Sequence, residues 1–267
     1  RMNARLAEPG PLALCPGGEL EARAIAVLQQ YPSLAMVNMA DEKGNFLMPK
    51  KMPDGTIATK WIDREANPPH TTWLHRDQHG AVVRTERSET VDYDPRTRPW
   101  YAGAGSAAGV QWTDMYVFFT DQVPGVTASC PVRNSRNELV GVIGIDIELG
   151  SMSRFLDTLR VGKQGVAFIL NGRNELVAYP DVTRVVRERD GKLVSARADE
   201  IGVPQVARCV EEYQTQARTR FAFAVDGTTY IGSVTRLPLT RTVRVSTGQP
   251  KWGTTRALGT RVVCTRS

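Results

Sequence analysis

The run Tyr93-Asp94-Pro95-Arg96-Thr97-Arg98-Pro99-Trp100-Tyr101 packs two guanidinium groups, three aromatic rings and two prolines into nine residues. Pro99 biases Arg98 towards an extended backbone, which lets Arg98 and Trp100 point to the same side. A planar guanidinium presents parallel donors that match a carboxylate, and the indole adds an N–H and a flat face. Tyr93, Tyr101 and the later Tyr116 add hydroxyls on rigid side chains, and Asp146 offers a carboxylate suited to an amine. If these groups face one site, the ligand is a zwitterion and the chain is a receptor rather than a catalyst. Composition gives equal standing to another reading, in which Arg96 and Arg98 pair with Asp92 and Asp94 on a surface loop and the aromatics plug a core.

The elements that must carry these groups are legible from periodicity. In Leu139–Glu148 the residues Gly141, Ile143 and Ile145 form an apolar face, while Val142, Gly144 and Asp146 form the other. The glycine two residues before Asp146 leaves room for a close approach. Upstream, Pro9-Gly10-Pro11 and Pro16-Gly17-Gly18 forbid a long helix, and a helix is expected from Glu19 to Tyr31-Pro32. Strands follow at 34–40, 45–52, 56–62, 72–75 and 81–85, separated by turns such as Pro53-Asp54-Gly55. Further strands are expected at 115–119, 126–132 and 139–148, then a short helix at 152–159. A second unit has strands at 165–170, 175–179, 219–225 and 230–234 and a helix at 204–214 that opens on proline. The fold class is α+β, two similar tandem modules with antiparallel sheets and a leading helix, since the strand–helix alternation of a parallel α/β fold is missing. The expected boundaries are 19–160 for the first module, 161–240 for the second and 241–267 for a loosely ordered tail.

Composition narrows the function. A hydrophobic content of 41% with 23% charged residues is that of a soluble globular chain. The net charge of +6 is scattered rather than gathered into a patch, which argues against nucleic acid. Cys15, Cys130, Cys209 and Cys264 form no Cys-x-x-Cys pair, which excludes a metal knuckle or a thioredoxin-type motif. His75-x3-His79 has metal-binding spacing only on a helix, and here it spans a turn, so no metal is expected. Gly103-Ala-Gly105-Ser-Ala-Ala-Gly109 lacks the preceding buried strand of a dinucleotide loop and is expected as a small-residue helix start or loop. No apolar run reaches the ~18–20 residues of a membrane span, and no nucleophile elbow, phosphate loop or workable acid pair appears. An amino end at arginine suggests a fragment of a longer protein.

Tyr93-x4-Arg98-x-Trp100-Tyr101, then Tyr116, then Asp146 on a Gly-Val-Ile-Gly-Ile-Asp strand, resembles the amino-acid-binding form of the double Cache sensor domain. The resemblance runs from about Ala22 to Val234 and includes Gly165-Val-Ala-Phe-Ile-Leu170 at the opening of the second module. It implies an extracytoplasmic, periplasmic sensor domain of a chemoreceptor, histidine kinase of a two-component system or nucleotide cyclase. Such a domain is anchored by flanking transmembrane helices, takes an amino acid or related amine in its first, membrane-distal module, and needs no cofactor. It also allows homodimerisation of the full-length receptor. Carried over, the resemblance implies that Arg98 and Trp100 hold a carboxylate and that Tyr93, Tyr101, Tyr116 and Asp146 surround an amine. Phe118 stands where the family often has a second acid, and the tail lacks the family's closing strand. The alternatives are a module for another small carboxylate, or a ligand-free dimerisation or interaction domain.

Overall fold

The computed structural model describes residues 12–159 and 165–237 and the backbone of 259–266. The chain divides into two compact units, one of residues up to Thr113 with Thr127–Ile147, the other of Asp114–Val126 with the residues from Glu148 onward.

In the first unit, helix α1 (Glu19–Gln30) precedes β1 (Met36–Asp41), β2 (Phe46–Lys51), β3 (Ile57–Asp63), β4 (His70–Arg76) and β5 (Val82–Ser88). A single turn of 3-10 helix, Pro95–Thr97, leads into the short α2 (Pro99–Gly105) and β6 (Gln111–Trp112). Next come β7 (Tyr116–Val117), which lies in the second unit, β8 (Pro124–Arg133) and β9 (Leu139–Glu148). The sheet order is β5-β4-β3-β2-β1-β9-β8-β6, so the last long strand of the unit inserts beside the first. That order explains why the sheet faces are set by residues distant in sequence.

Register defines the two faces. Met36 lies opposite both Lys50 and Asp146, Asn38 opposite Gly144, and Ala40 opposite Phe46 and Val142. Farther out, Met48 lies opposite Lys60, and Lys60 opposite Trp73. Side chains at paired positions share a face, so Asp146, Gly144, Asn38, Lys50 and Lys60 belong to one side. The other side packs against α1, where Ala24 and Leu28 join Val37, Met39, Leu47 and Ile57, with Ile143 and Ile145 alongside. The apolar and glycine-aspartate faces expected for Leu139–Glu148 are both realised. Gly141 lies on the helix side, where an added Cβ would stand 2.5 Å from the Ala40 carbonyl oxygen.

The second unit has α3 (Leu149–Thr158), β10 (Val166–Leu170), β11 (Leu176–Ala178), β12 (Val186–Arg189), β13 (Lys192–Ser195), α4 (Pro204–Gln216), β14 (Arg220–Val225), β15 (Thr228–Leu237) and β16 (Gly259–Arg266). Its sheet runs β11-β10-β16-β15-β14, with β12 and β13 as a separate hairpin. That hairpin was missed because its strands are short and charged. Its Asp190-Gly191 turn, with φ of 53° and 69°, is the sequence signal that could have found it. β16 corrects the expectation of a tail without a closing strand, because it pairs with both β10 and β15. Arg261 and Arg266 interrupt its apolar pattern, yet a strand flanked on both edges satisfies its backbone whatever its side-chain period. The remainder of the tail, 238–258, lies outside the described residues.

Candidate ligand site on the first sheet

The Tyr93–Tyr101 segment lies over the face that carries Asp146, and local chemistry holds it there. Asp94 accepts from the backbone N–H and the guanidinium of Arg96, which closes the turn at Pro95–Thr97. This is the Arg96–Asp94 half of the surface-loop reading, and it serves the site by shaping the segment. Arg64 donates to the carbonyl oxygens of Gly44 and Tyr93 at 3.0 and 2.8 Å and so clips the segment to the β1–β2 turn. The Tyr101 hydroxyl donates to the Asp41 carbonyl oxygen at 3.0 Å and ties the start of α2 to β1.

Trp100 is almost fully buried, and its indole lies against Gly144, where an added Cβ would stand 3.1 Å from Cε3. The space left by the glycine is thus taken by the indole and by the Thr127 methyl. Trp100 Nε1 donates to the Tyr93 hydroxyl at 3.2 Å. Phe46 packs against both rings, at centroid distances of 4.9 and 6.3 Å. The result is an aromatic roof over a sheet floor that is polar at selected positions.

Asp146 is buried, 3% exposed, and Thr127 Oγ1 donates to its Oδ1 at 2.6 Å. Thr127 is held in turn by a backbone pair with Thr113 and by its N–H to Thr113 Oγ1. Sequence reasoning missed Thr127, whose only signal is its place on the strand beside β9. Arg98 is half-buried with extended backbone, φ −87° and ψ 148°, at the residue before α2. Burial raises the Tyr93 hydroxyl well above the usual tyrosine range, its bond with Trp100 opposes this, and the charges of Asp146 and Arg98 act on it with opposite signs. The Tyr101 hydroxyl is likewise pushed up to about 12, chiefly by burial. Both phenols therefore stay neutral at ordinary pH.

Of the six expected site residues, Tyr93, Arg98, Trp100, Tyr101 and Asp146 belong to the first unit. Tyr116 is half-buried on β7, pairs with Gly125, contacts the Phe118 ring and is grouped with the second unit. Lys60 was not foreseen: it is buried on the floor with Nζ 5.5 Å from the Tyr93 ring centroid and 5.9 Å from that of Trp73. The second unit holds an open cleft of about 510 Å³ beside α4, whose lining includes Arg197, Asp199, Arg208 and Glu211. Its charges pair among themselves, Arg197 with Asp199 and Arg208 with Glu211.

Known proteins resemble the chain in sequence over part of its length, and others resemble it in fold. Over 117 residues the chain is 31% identical to the methyl-accepting chemotaxis protein McpG of Pseudomonas putida, a match covering 44% of this chain and 18% of McpG. It is 28% identical over 160 residues to adenylate cyclase 1 of Rhizobium meliloti, covering 59% of this chain and 24% of the cyclase. The chain thus matches a quarter or less of the length of these relatives. In structure it superposes on the ligand-binding domain of the Pseudomonas fluorescens chemoreceptor CtaA, in complex with L-alanine, with a TM-score of 0.50 at 18% identity, covering 93% of this chain and 80% of that one. The ligand-binding domain of the Campylobacter jejuni chemoreceptor Tlp3, in complex with L-valine, gives 0.52 at 12% identity, covering 93% and 72%. Residues 42–154 match the family described as methyl-accepting chemotaxis protein-like, first PDC sensor domain, which bears out the resemblance to the Cache sensors read from Tyr93–Tyr101 and the β9 strand.

Proposed function

We propose that this chain is the extracytoplasmic sensing domain of a membrane signalling receptor and binds a free amino acid on the first unit's sheet, beneath the Tyr93–Tyr101 segment. The observation that carries this reading is the buried Asp146 carboxylate, which accepts from the Thr127 hydroxyl at 2.6 Å on the face that Trp100 and its partner Tyr93 cover. Arg98, at the residue before α2 in the covering segment, supplies a cation for a zwitterion's carboxylate, and Asp146 supplies an anion for its amine. Arg98 and Trp100 take the ligand carboxylate; Tyr93 and Asp146, the latter oriented by Thr127, take the amine. Tyr101 supports the site by anchoring α2, since its hydroxyl is spent on Asp41. Matches to chemoreceptors and to a cyclase favour signalling as the output and leave the output module open. Anchoring by flanking membrane helices belongs to the same proposal. The ligand acts by its differential affinity for two receptor states.

A thermal-shift screen of the twenty amino acids tests the reading. A ligand at a hundred times its dissociation constant adds about 2.7 kcal/mol, which moves the melting point of a chain this size by roughly 5–10 °C. Arg98→Ala should abolish most of that shift, because a charged hydrogen bond contributes about 1.5–3 kcal/mol. No shift with any amino acid overturns the proposal, and full binding by the Arg98→Ala protein overturns the carboxylate assignment.

A further inference from the structure

Beyond Arg98 and Asp146, the same face buries two further cations, Lys50 and Lys60, the second of which feels the Asp92 carboxylate. Lys50 and Lys60, each 6% exposed, lie on the face with Asp146, so its buried charged residues among those described are one carboxylate and two ammonium groups. Asn38 is 2% exposed, sits opposite Gly144 on that face, and its Nδ2 has no hydrogen-bond partner. A buried amide donor without an acceptor costs about 1–3 kcal/mol. An acceptor supplied by a ligand would remove that cost.

The strand order sets how far apart the strands that carry these groups stand. β9 and β3 stand three strand spacings apart, about 14 Å, with Asn38 on β1 between them. The Asp146 carboxylate and the long Lys60 side chain rise from those two strands on the same face. Tyr93 roofs that face, with the Lys60 ammonium over its ring.

We propose that Asn38 and Lys60, with Lys50 adding positive field, form a subsite for an anionic side chain, so that the ligand is an acidic amino acid. This rests on the amino-acid reading above and names the ligand class within it. The α-amino and α-carboxylate groups are held at Asp146 and Arg98, and the second carboxylate lies along the floor towards β3, accepting from Asn38 Nδ2 and Lys60 Nζ.

Calorimetric titration of the chain with L-glutamate, L-aspartate, L-alanine and glutarate tests this. Wild type should bind glutamate or aspartate at least tenfold more tightly than alanine. Lys60→Met, which keeps the length and removes the charge, should weaken the acidic ligand about tenfold or more and alanine less than threefold. Asn38→Leu, which removes the orphaned donor without opening a cavity, should also reduce acidic over neutral selectivity. Alanine binding that depends on Arg98, without acidic preference, overturns this inference and leaves the proposed function standing. An equal loss for glutamate and alanine in Lys60→Met overturns the subsite. Glutarate binding as tight as glutamate, indifferent to Asp146→Ala, supports the anionic floor and removes the amine half of the earlier reading. Binding of none of the four, with no shift from other amino acids, overturns both.

Discussion

A single missing side chain decides how closely the Trp100 roof sits on the sheet. Gly144→Ala would place a Cβ 3.0 Å from Thr127 Cγ2 and 3.1 Å from the indole, closer than relaxed packing allows. A loss of about 1–3 kcal/mol is expected from such overpacking, with weakened ligand binding, measured by denaturant unfolding and titration. Thr127→Val removes the hydroxyl that donates to Asp146 while keeping the volume. It should weaken amine-bearing ligands several-fold and leave a carboxylate-only ligand unaffected; equal losses for both would contradict a positioning role. Lys60 gives a pH signature. Burial lowers its pKa from the ordinary 10.5, with the Asp92 charge opposing, so the unfolded chain holds the proton more firmly than the folded one. Stability should therefore rise with pH between the folded value and about 10.5, and chemical denaturation across alkaline pH should show that rise reduced in Lys60→Met.

Among the elements, the five-strand run from β5 to β1 is plain in the sequence because its turns carry Asp, Asn and Gly. The approach of α1 to that sheet is secured by a pair the sequence does not advertise. Glu21 on α1 is 2% exposed and accepts from Arg76 Nη2 on β4 at 2.7 Å and from the Gly17 N–H at 2.6 Å. Removing one partner of a buried pair leaves an uncompensated charge, so Glu21→Ala should cost about 3–5 kcal/mol, read by urea unfolding. Replacing both partners by apolar residues should recover much of that loss. Gly141 is the corresponding constraint between strands. Its alanine variant would press on the Ala40 carbonyl oxygen, a backbone atom that moves only if β1 and β9 part, and a fall in melting temperature of several degrees is expected.

For the molecule as a whole, ligand binding and folding are one equilibrium, so stabilisation depends on occupancy rather than on which contacts form. A ligand at one site should add about 1.4 kcal/mol per tenfold rise in concentration above its dissociation constant. Melting curves over three decades of L-glutamate should show that steady increment. A shift that levels off early would mean the ligand also binds the unfolded chain. The net charge of +6 is scattered along the sequence and says nothing about ligand choice, which the proposal assigns to a few buried groups on one sheet face.

What the sequence determined by itself was local: the period-two face of Leu139–Glu148, the turn chemistry of the hairpins, the extended Arg98-Pro99 step and the spacing that marks a Cache-like sensor. Those properties depend on neighbours one to four residues away, which is the range periodicity and turn propensity report. Tertiary structure decided the rest. β9 inserts beside β1, and only that pairing brings Asp146, Asn38, Lys50 and Lys60, more than a hundred residues apart at the extremes, onto one face under Trp100. It likewise spent the Tyr101 hydroxyl on a backbone carbonyl, gave Asp146 its Thr127 donor and placed Tyr116 with the second unit. It also made a closing strand of 259–266, because hydrogen bonds from both neighbours outweigh an irregular side-chain pattern. Register between strands has no counterpart in linear spacing, which is why the covering segment could be read from nine residues and the sheet floor beneath it could not.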